Sequence, residues 1–407
     1  MIKAKEDYCL RHEIPFPHFN RMEGRPIKPS PMYERLKEKG AVYEEVFGHE
    51  RARWFARAGV EQQDHYSFRH TPVDQMVAQE CRAVREAVGI MDISAFTKVE
   101  VSGPDAETFL EGLLPNRLPK KIGGIGLSHF LHESGRIELE TTVIKFAENR
   151  YYLVCAAFFE TRLTDHLSQR QNGADITIEV LSTAWSALAL QGPRSREVLA
   201  QTTDAPLDNA NFKWLSAQQI DIAGHRVWAM RLSYAGELGW EIHGPANTML
   251  AIYDALWTAG AVHGITDYGS FAMNALRMEK MFKGAGELTN EVTLPEADVM
   301  RFVKMDKDFV GKAATQASLD QAELPWTCAY LVIEPEGDED VHGGEAVLLD
   351  GAVVGSTASV AFGPTVGKIL AFAYIKPHAA SPGQPLEVVI QGKPRQAVVA
   401  DQPVYDP

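Results

Sequence analysis

From residue 71 onward the apolar positions follow two periods. Val73, Met76, Val77, Cys81, Val84 and Val88 fall at helical spacing and predict an amphipathic helix over 72–88. Further helices are predicted over 105–114, 159–169, 194–202, 246–259 and 270–281. Between them, short runs rich in β-branched and aromatic residues predict strands at 98–101, 138–145, 151–155, 176–180, 186–190, 219–222 and 227–233. Alternation of this kind, with repeated crossovers, indicates a mixed α/β or α+β domain. After about residue 325 the pattern changes to strands separated by Gly turns, among them CAYLVIE, KILAFAYI and RQAVVA, which predict a small β-barrel or sandwich. Residues 1–70 show little periodicity. They read as extended, Pro-punctuated chain followed by one short helix, a lead segment that lies against another surface. The expected division is therefore 1–70, 71–324 and 325–407.

Length supports more than one core, since 407 residues exceed what a single ordinary domain buries. The net charge of -14 argues against a broad nucleic-acid surface, although a local basic pocket for a small anion is compatible with it. The four cysteines are far apart and form no CxxC pair, and no HExxH occurs, so no metal site is expected. Scattered thiols suit a reducing compartment, and the expected location is the cytoplasm. No run of about 18 apolar residues signals a membrane span, and the N-terminus has no apolar stretch of the signal-peptide kind. Neither GxGxxG after an early strand nor GxxxxGK[ST] is present.

Three segments could carry chemistry. In SGRIELETTVIKF (134–146), strand alternation puts Ile137, Leu139, Thr141 and Val143 on one face and Glu138, Glu140 and Thr142 on the other. This is either a half-buried strand with a solvated acidic face or one that aims a glutamate into a cleft. In RLSYAGELGWEIHG (231–244), Gly236 and Gly239 permit unusual backbone angles, and Trp240 and Glu241 open a new strand. A carboxylate beside an aromatic suits a flat heterocycle with paired N–H groups, though an ordinary turn with a core Trp reads equally well. On the predicted helix 270–281, Arg277 interrupts an apolar side and needs a partner, with Glu241, a ligand carboxylate or an acid near Glu279 as candidates. His129, on a predicted strand, is read as structural or ligand-lining.

The order of these segments carries more information than any one of them. VREAVGIMDISAF, VSGPDAETFLEGLLPN, GRIELETTV, ALQGPRSREVL, YAGELGWE, ALRMEK and KMDKDFVGKAA run in a sequence that resembles the glycine cleavage T-protein (aminomethyltransferase) superfamily. FPHFNRMEGR and GELGWEIHGPANTM look like the tetrahydrofolate-binding half of dimethylglycine and sarcosine dehydrogenases. The resemblance implies an α+β folate-binding fold, ferredoxin-like or mixed α/β, with a closing β-barrel. It implies tetrahydrofolate as cofactor, Glu140 as the catalytic acid near the folate nitrogens, and Tyr234, Glu241 and Arg277 as folate-binding residues. Leu139 replaces the family's first acid on that strand. His49, Ala285 and the shifted Pro295 also depart from the pattern, the last two near the expected folate pocket. The implied activity is one-carbon transfer from a small methylated amine. The implied partner is a separate flavoprotein, with residues 1–70 as the remnant of a connector to a flavin region. A stand-alone demethylase of a methylated N, O or S compound, or a non-catalytic folate-binding subunit of a split dehydrogenase, are the other readings.

Overall fold

The computed structural model describes residues 1–406. Two sheets and a closed barrel form its framework. The first sheet is antiparallel, with strand order Ile125–Leu131, Ile137–Ala147, Arg150–Cys155, Thr97–Ser102 and Thr177–Val180. The second has six strands in the order Ala217–Ile222, His225–Met230, Gly239–Pro245, Trp185–Gln191, Val88–Asp92 and Ile265–Asp267, the last pair being parallel.

The strand Ile137–Ala147 explains how the sheets meet. Leu139 and Val143 point into a core with Val99, Leu110 and Phe130. On the opposite face, Glu138, Glu140 and Thr142 are followed by apolar Ile144 and Phe146. Those two pack with Tyr152, Trp228 and Met230, the last two from the six-stranded sheet. Phe146 stacks on Trp228 with centroids 4.1 Å apart and planes 6° from parallel. One face of one strand is thus apolar where the sheets are joined and acidic where they are not. Burial of that seam holds the two sheets together beside the acidic stretch.

The predicted helices at 72–88, 105–114, 159–169, 246–259 and 270–281 appear as Pro72–Glu86, Ala106–Leu113, Glu160–Arg170, Ala246–Gly260 and Ser270–Glu279. The lead segment is more structured than its sequence pattern predicts. It holds helices Ile2–Cys9 and Tyr33–Glu38 and a hairpin of Ala41–Val46 with His49–Phe55. Met32, Leu36, Tyr43 and Phe55 join the core of the six-stranded sheet with Ile90, Leu190 and Trp240. The hairpin's charged positions are paired: Arg25 meets Glu50, Arg53 meets Asp64 at 2.7 Å, and Arg51 meets Glu44 at 2.8 Å. Charges that satisfy one another can be buried where unpaired ones could not, which hides the strands from a hydrophobicity pattern.

The C-terminal strands close into a six-stranded barrel, with Thr327–Ile333 pairing both Lys368–Ile375 and Lys393–Ala400. Tyr330 donates to the Met278 carbonyl at 2.8 Å and Tyr374 to the Glu287 carbonyl at 2.7 Å, fastening the barrel to Ser270–Glu279 and the loop after it. Among the described residues no helix is long and apolar enough to cross a membrane.

Candidate functional site

Glu140 lies on the acidic part of that shared face, with its side chain 26% exposed. Directly opposite it on the neighbouring strand is His129, fully buried, with Nε2 3.6 Å from Glu140 Oε1. Neither ring nitrogen of His129 has a hydrogen-bond partner among the described residues, a costly arrangement for a buried imidazole. Phe302 packs against the ring at 6.1 Å between centroids. His129 therefore stands directly beside the predicted acid.

The YAGELG segment behaves as two different glycines require. Gly236 takes a φ of 81°, the left-handed region that glycine favours. Gly239 sits in the strand, where a Cβ would come within 2.8 Å of the Leu190 carbonyl oxygen. The close approach lets Trp240 turn into the core and places Glu241 on the other face, 18% exposed at its side chain. Tyr234 donates its hydroxyl to the Lys283 carbonyl at 2.8 Å and stacks on Phe282. Burial holds the Tyr234 phenol above its usual range, and the charges acting on it are Arg277, Glu287 and Glu140. These four side chains belong to one neighbourhood.

Arg277 finds a partner that its sequence neighbourhood does not announce. Its Nη1 lies 3.1 Å from both oxygens of Glu287, donates to the Phe282 carbonyl at 2.9 Å, and its Nε donates to Asn274 at 3.0 Å. Burial opposes the charge on Arg277, but Glu287 outweighs it and raises the guanidinium further. Glu279 instead pairs with Arg85 at 2.8 Å, and Glu241 with His243 at 3.2 Å. Glu287 also accepts from the Gly284 amide at 2.7 Å, so Arg277 organises the 282–287 loop whose Lys283 carbonyl holds Tyr234. A Cβ at position 284 would meet the Tyr234 hydroxyl at 2.5 Å, which explains the glycine there.

A cavity of about 790 Å³ opens beside this loop, lined by Phe47, Phe158, Phe159, Arg162, Ala285 and Asn290, with Glu45, Val46 and Thr289 completing it. Glu140, Tyr234, Glu241 and Arg277 are not among its lining residues; the 282–290 loop links it to Tyr234 and Arg277. Ala285 lines the wall, and aromatic surface comes from Phe47 and Phe158, 6.3 Å apart between centroids. Nothing in the sequence pattern marks Phe47, Phe158 or Arg162. Phe47 and Gly48 form a two-residue hairpin turn with φ of 52° and 84°, a turn that usually carries Asn-Gly. Holding a bulky side chain at positive φ is unfavourable, so the exposed ring at the cavity mouth is a signal in itself. Around Pro295, Leu288, Leu294 and Val299 anchor the following segment in a core with Leu131 and Phe309. His49 is buried, and burial, with Lys28 and Lys98 nearby, lowers its pKa to about 4. Away from the cleft, His70, Asp74 and Asp340 bring potential ligand atoms within 4.8 Å of one another where the lead segment meets the barrel.

Comparison with known proteins agrees with this architecture. The GCVT N-terminal domain profile matches residues 32–307, and that of the glycine cleavage T-protein C-terminal barrel domain matches 327–406. The mitochondrial dimethylglycine dehydrogenase of Homo sapiens is 33% identical over 409 residues, covering 99% of this chain and 47% of that protein. The 4-methylaminobutanoate oxidase (formaldehyde-forming) of Paenarthrobacter nicotinovorans is 29% identical, covering 100% and 49%. The chain spans about half the length of these curated relatives. The aminomethyltransferase of Caldanaerobacter subterraneus is 31% identical over 335 residues, covering 81% of this chain and 88% of that one. The glycine cleavage system aminomethyltransferase T of Bartonella henselae, 24% identical, superposes with a TM-score of 0.80 over 93% of this chain and 98% of its own, a likeness of fold. Two successive domain profiles that between them reach from residue 32 to residue 406, laid over a pair of packed sheets and a closed barrel, make this chain a member of the glycine cleavage T-protein (aminomethyltransferase) family.

Proposed function

We propose that the chain transfers a one-carbon unit from a small methylated amine to tetrahydrofolate. The observation that carries this reading is the pair of carboxylates left partly open where the sheets part, Glu140 at 26% and Glu241 at 18% exposure, with Tyr234 in the same neighbourhood as Glu140. Fully solvated acids would be unremarkable on a surface. Acids at the edge of a packed seam are only partly hydrated and can take a ligand's donors in place of that water. A pterin offers such paired N–H donors, and Glu241 would accept them. Phe47 and Phe158 offer flat apolar walls and Arg162 a cation for the acidic end of a folate. Bound there, tetrahydrofolate supplies ring nitrogens able to take up a one-carbon unit.

The chain's own contribution is positioning and charge. Glu140 stabilises cationic character on the incoming carbon and takes up or returns the proton at its carboxylate. Holding donor and acceptor together replaces a bimolecular encounter, an effect worth several kcal/mol. The names of the half-matching relatives, dimethylglycine dehydrogenase and a formaldehyde-forming oxidase, favour a carbon that arrives already oxidised. A flavoprotein acting on a methylated amine would supply it.

Isothermal titration with tetrahydrofolate, with and without dimethylglycine, tests the reading. Saturable binding at micromolar affinity or better is expected, and its absence would sink the proposal. Glu241→Gln should weaken that binding at least about tenfold, the loss of about 1.4 kcal/mol expected when one charge-assisted acceptor is removed.

A further inference from the structure

Behind Glu241 a hydrogen-bonded chain crosses from one sheet to the other. Tyr152 on Arg150–Cys155 places its hydroxyl 3.1 Å from His243 Nδ1, and His243 Nε2 lies 3.2 Å from Glu241 Oε2. The Tyr152 and His243 rings meet edge to face at 89°. Both residues are fully buried, whereas the Glu241 side chain is 18% exposed. The chain therefore begins in the seam and ends at the opening.

Proton inventory fixes the direction of every link. Burial lowers the proton affinity of His243 and, with Lys98 also opposing a second proton, outweighs the pull of Glu241. A neutral imidazole has one N–H and one acceptor nitrogen. An ionised Glu241 only accepts, so the N–H must be at Nε2. Nδ1 is then an acceptor, and the Tyr152 hydroxyl must donate to it. Burial raises the Tyr152 phenol well above its usual range, so that proton stays in place. Glu241 Oε2 is occupied, and Oε1 has no hydrogen-bond partner among the described residues.

We infer that Tyr152 and His243 are positioning residues: the hydrogen-bonded chain holds His243 in one orientation, and through it fixes the Glu241 carboxylate with Oε1 presented to the ligand. This rests on the tetrahydrofolate reading for the identity of the ligand, but the tautomer does not. A side chain with two oxygens and two rotatable bonds before its carboxyl group would otherwise lose conformational freedom on binding, and the preset chain removes that cost beforehand.

The test has two arms. Nitrogen-15 NMR of histidine-labelled protein, with the His243 signals assigned by their loss in His243→Gln, should show a neutral Nε2–H ring in the wild type. In Tyr152→Phe, Nδ1 loses its donor, so its signal should move downfield toward that of an unbonded ring nitrogen while the Nε2–H tautomer, set by Glu241, persists. Tetrahydrofolate titration should show His243→Leu weakened about tenfold or more and Tyr152→Phe about threefold, with His243→Gln, whose side-chain amide can still donate to Glu241, close to wild type. In a Glu241→Gln background both effects should vanish. A charged or Nδ1–H ring in the wild type, or equal losses in the Glu241→Gln background, would overturn the inference. Absence of tetrahydrofolate binding in the wild type would overturn the cofactor reading alone, and the NMR arm would still decide the chain.

Discussion

Replacing Glu140 by Gln should leave tetrahydrofolate affinity within about threefold of wild type while lowering one-carbon transfer by about 10²–10⁴-fold. Gln keeps the size and reach of the side chain, so the walls of the opening do not move. It removes the negative charge and the capacity to hold a proton, which are what the transfer step requires of this position. The geometry supports a specialised carboxylate: it is part-exposed, and its cross-strand neighbour His129 is fully buried with no hydrogen-bond partner for either nitrogen. The assay follows carbon-13 from labelled dimethylglycine into the folate fraction, with a dimethylglycine-oxidising flavoprotein supplied. Titration calorimetry runs in parallel. Glu241→Gln should show the opposite pattern, with binding lost first. Equal loss of binding in both variants would contradict this division of roles.

Glu140's orientation was legible because its strand alternates cleanly, and the structure keeps Leu139 and Val143 inward and Glu138 and Glu140 outward. Alternation alone does not say whether an outward acid faces bulk water or a cleft. That depends on Phe146 meeting Trp228 from a strand about eighty residues away, a contact no local pattern encodes. Trp240 and Glu241 are separable for the same period-two reason, yet nothing local marks His243 and Tyr152. A buried histidine and a buried tyrosine on two strands look like ordinary core until their register is known.

The ordered motifs pointed to the family and the C-terminal barrel, which the domain profiles and the closed strand order bear out. The lead segment was harder to read. Its hairpin carries Glu44, Glu45, Arg51 and Arg53 within its strands, and their ion pairs substitute for apolar alternation. Its turn is Phe-Gly where an Asn-Gly would have signalled a hairpin. The aromatic at the mouth of the cavity therefore carries no sequence signal, whereas Ala285 on its wall departs from the family pattern.

Arg277→Met should destabilise the fold by about 3–5 kcal/mol, because it leaves Glu287 buried without its counter-charge. The side chains of Arg277 and Glu287 are 6% and 0% exposed, so solvent cannot replace the lost partner. The loop would also lose the Phe282 carbonyl contact, and with it the seat of Lys283 under Tyr234. The pairing was hidden from the sequence for a physical reason. Glu287 lies beyond the helix end, past Met281 at a φ of 58°, so no helical spacing connects the two residues. Because isosteric replacement of both partners removes the orphaned charge, Arg277→Met with Glu287→Gln should recover most of the loss in chemical denaturation. The double variant also separates two roles for Arg277. If the guanidinium acts on the cleft through the 282–287 loop, the rescued protein should bind tetrahydrofolate within about threefold of wild type. A rescued fold that still binds tenfold or more weakly would mean that Arg277 touches the ligand itself, with Glu287 holding it for that contact.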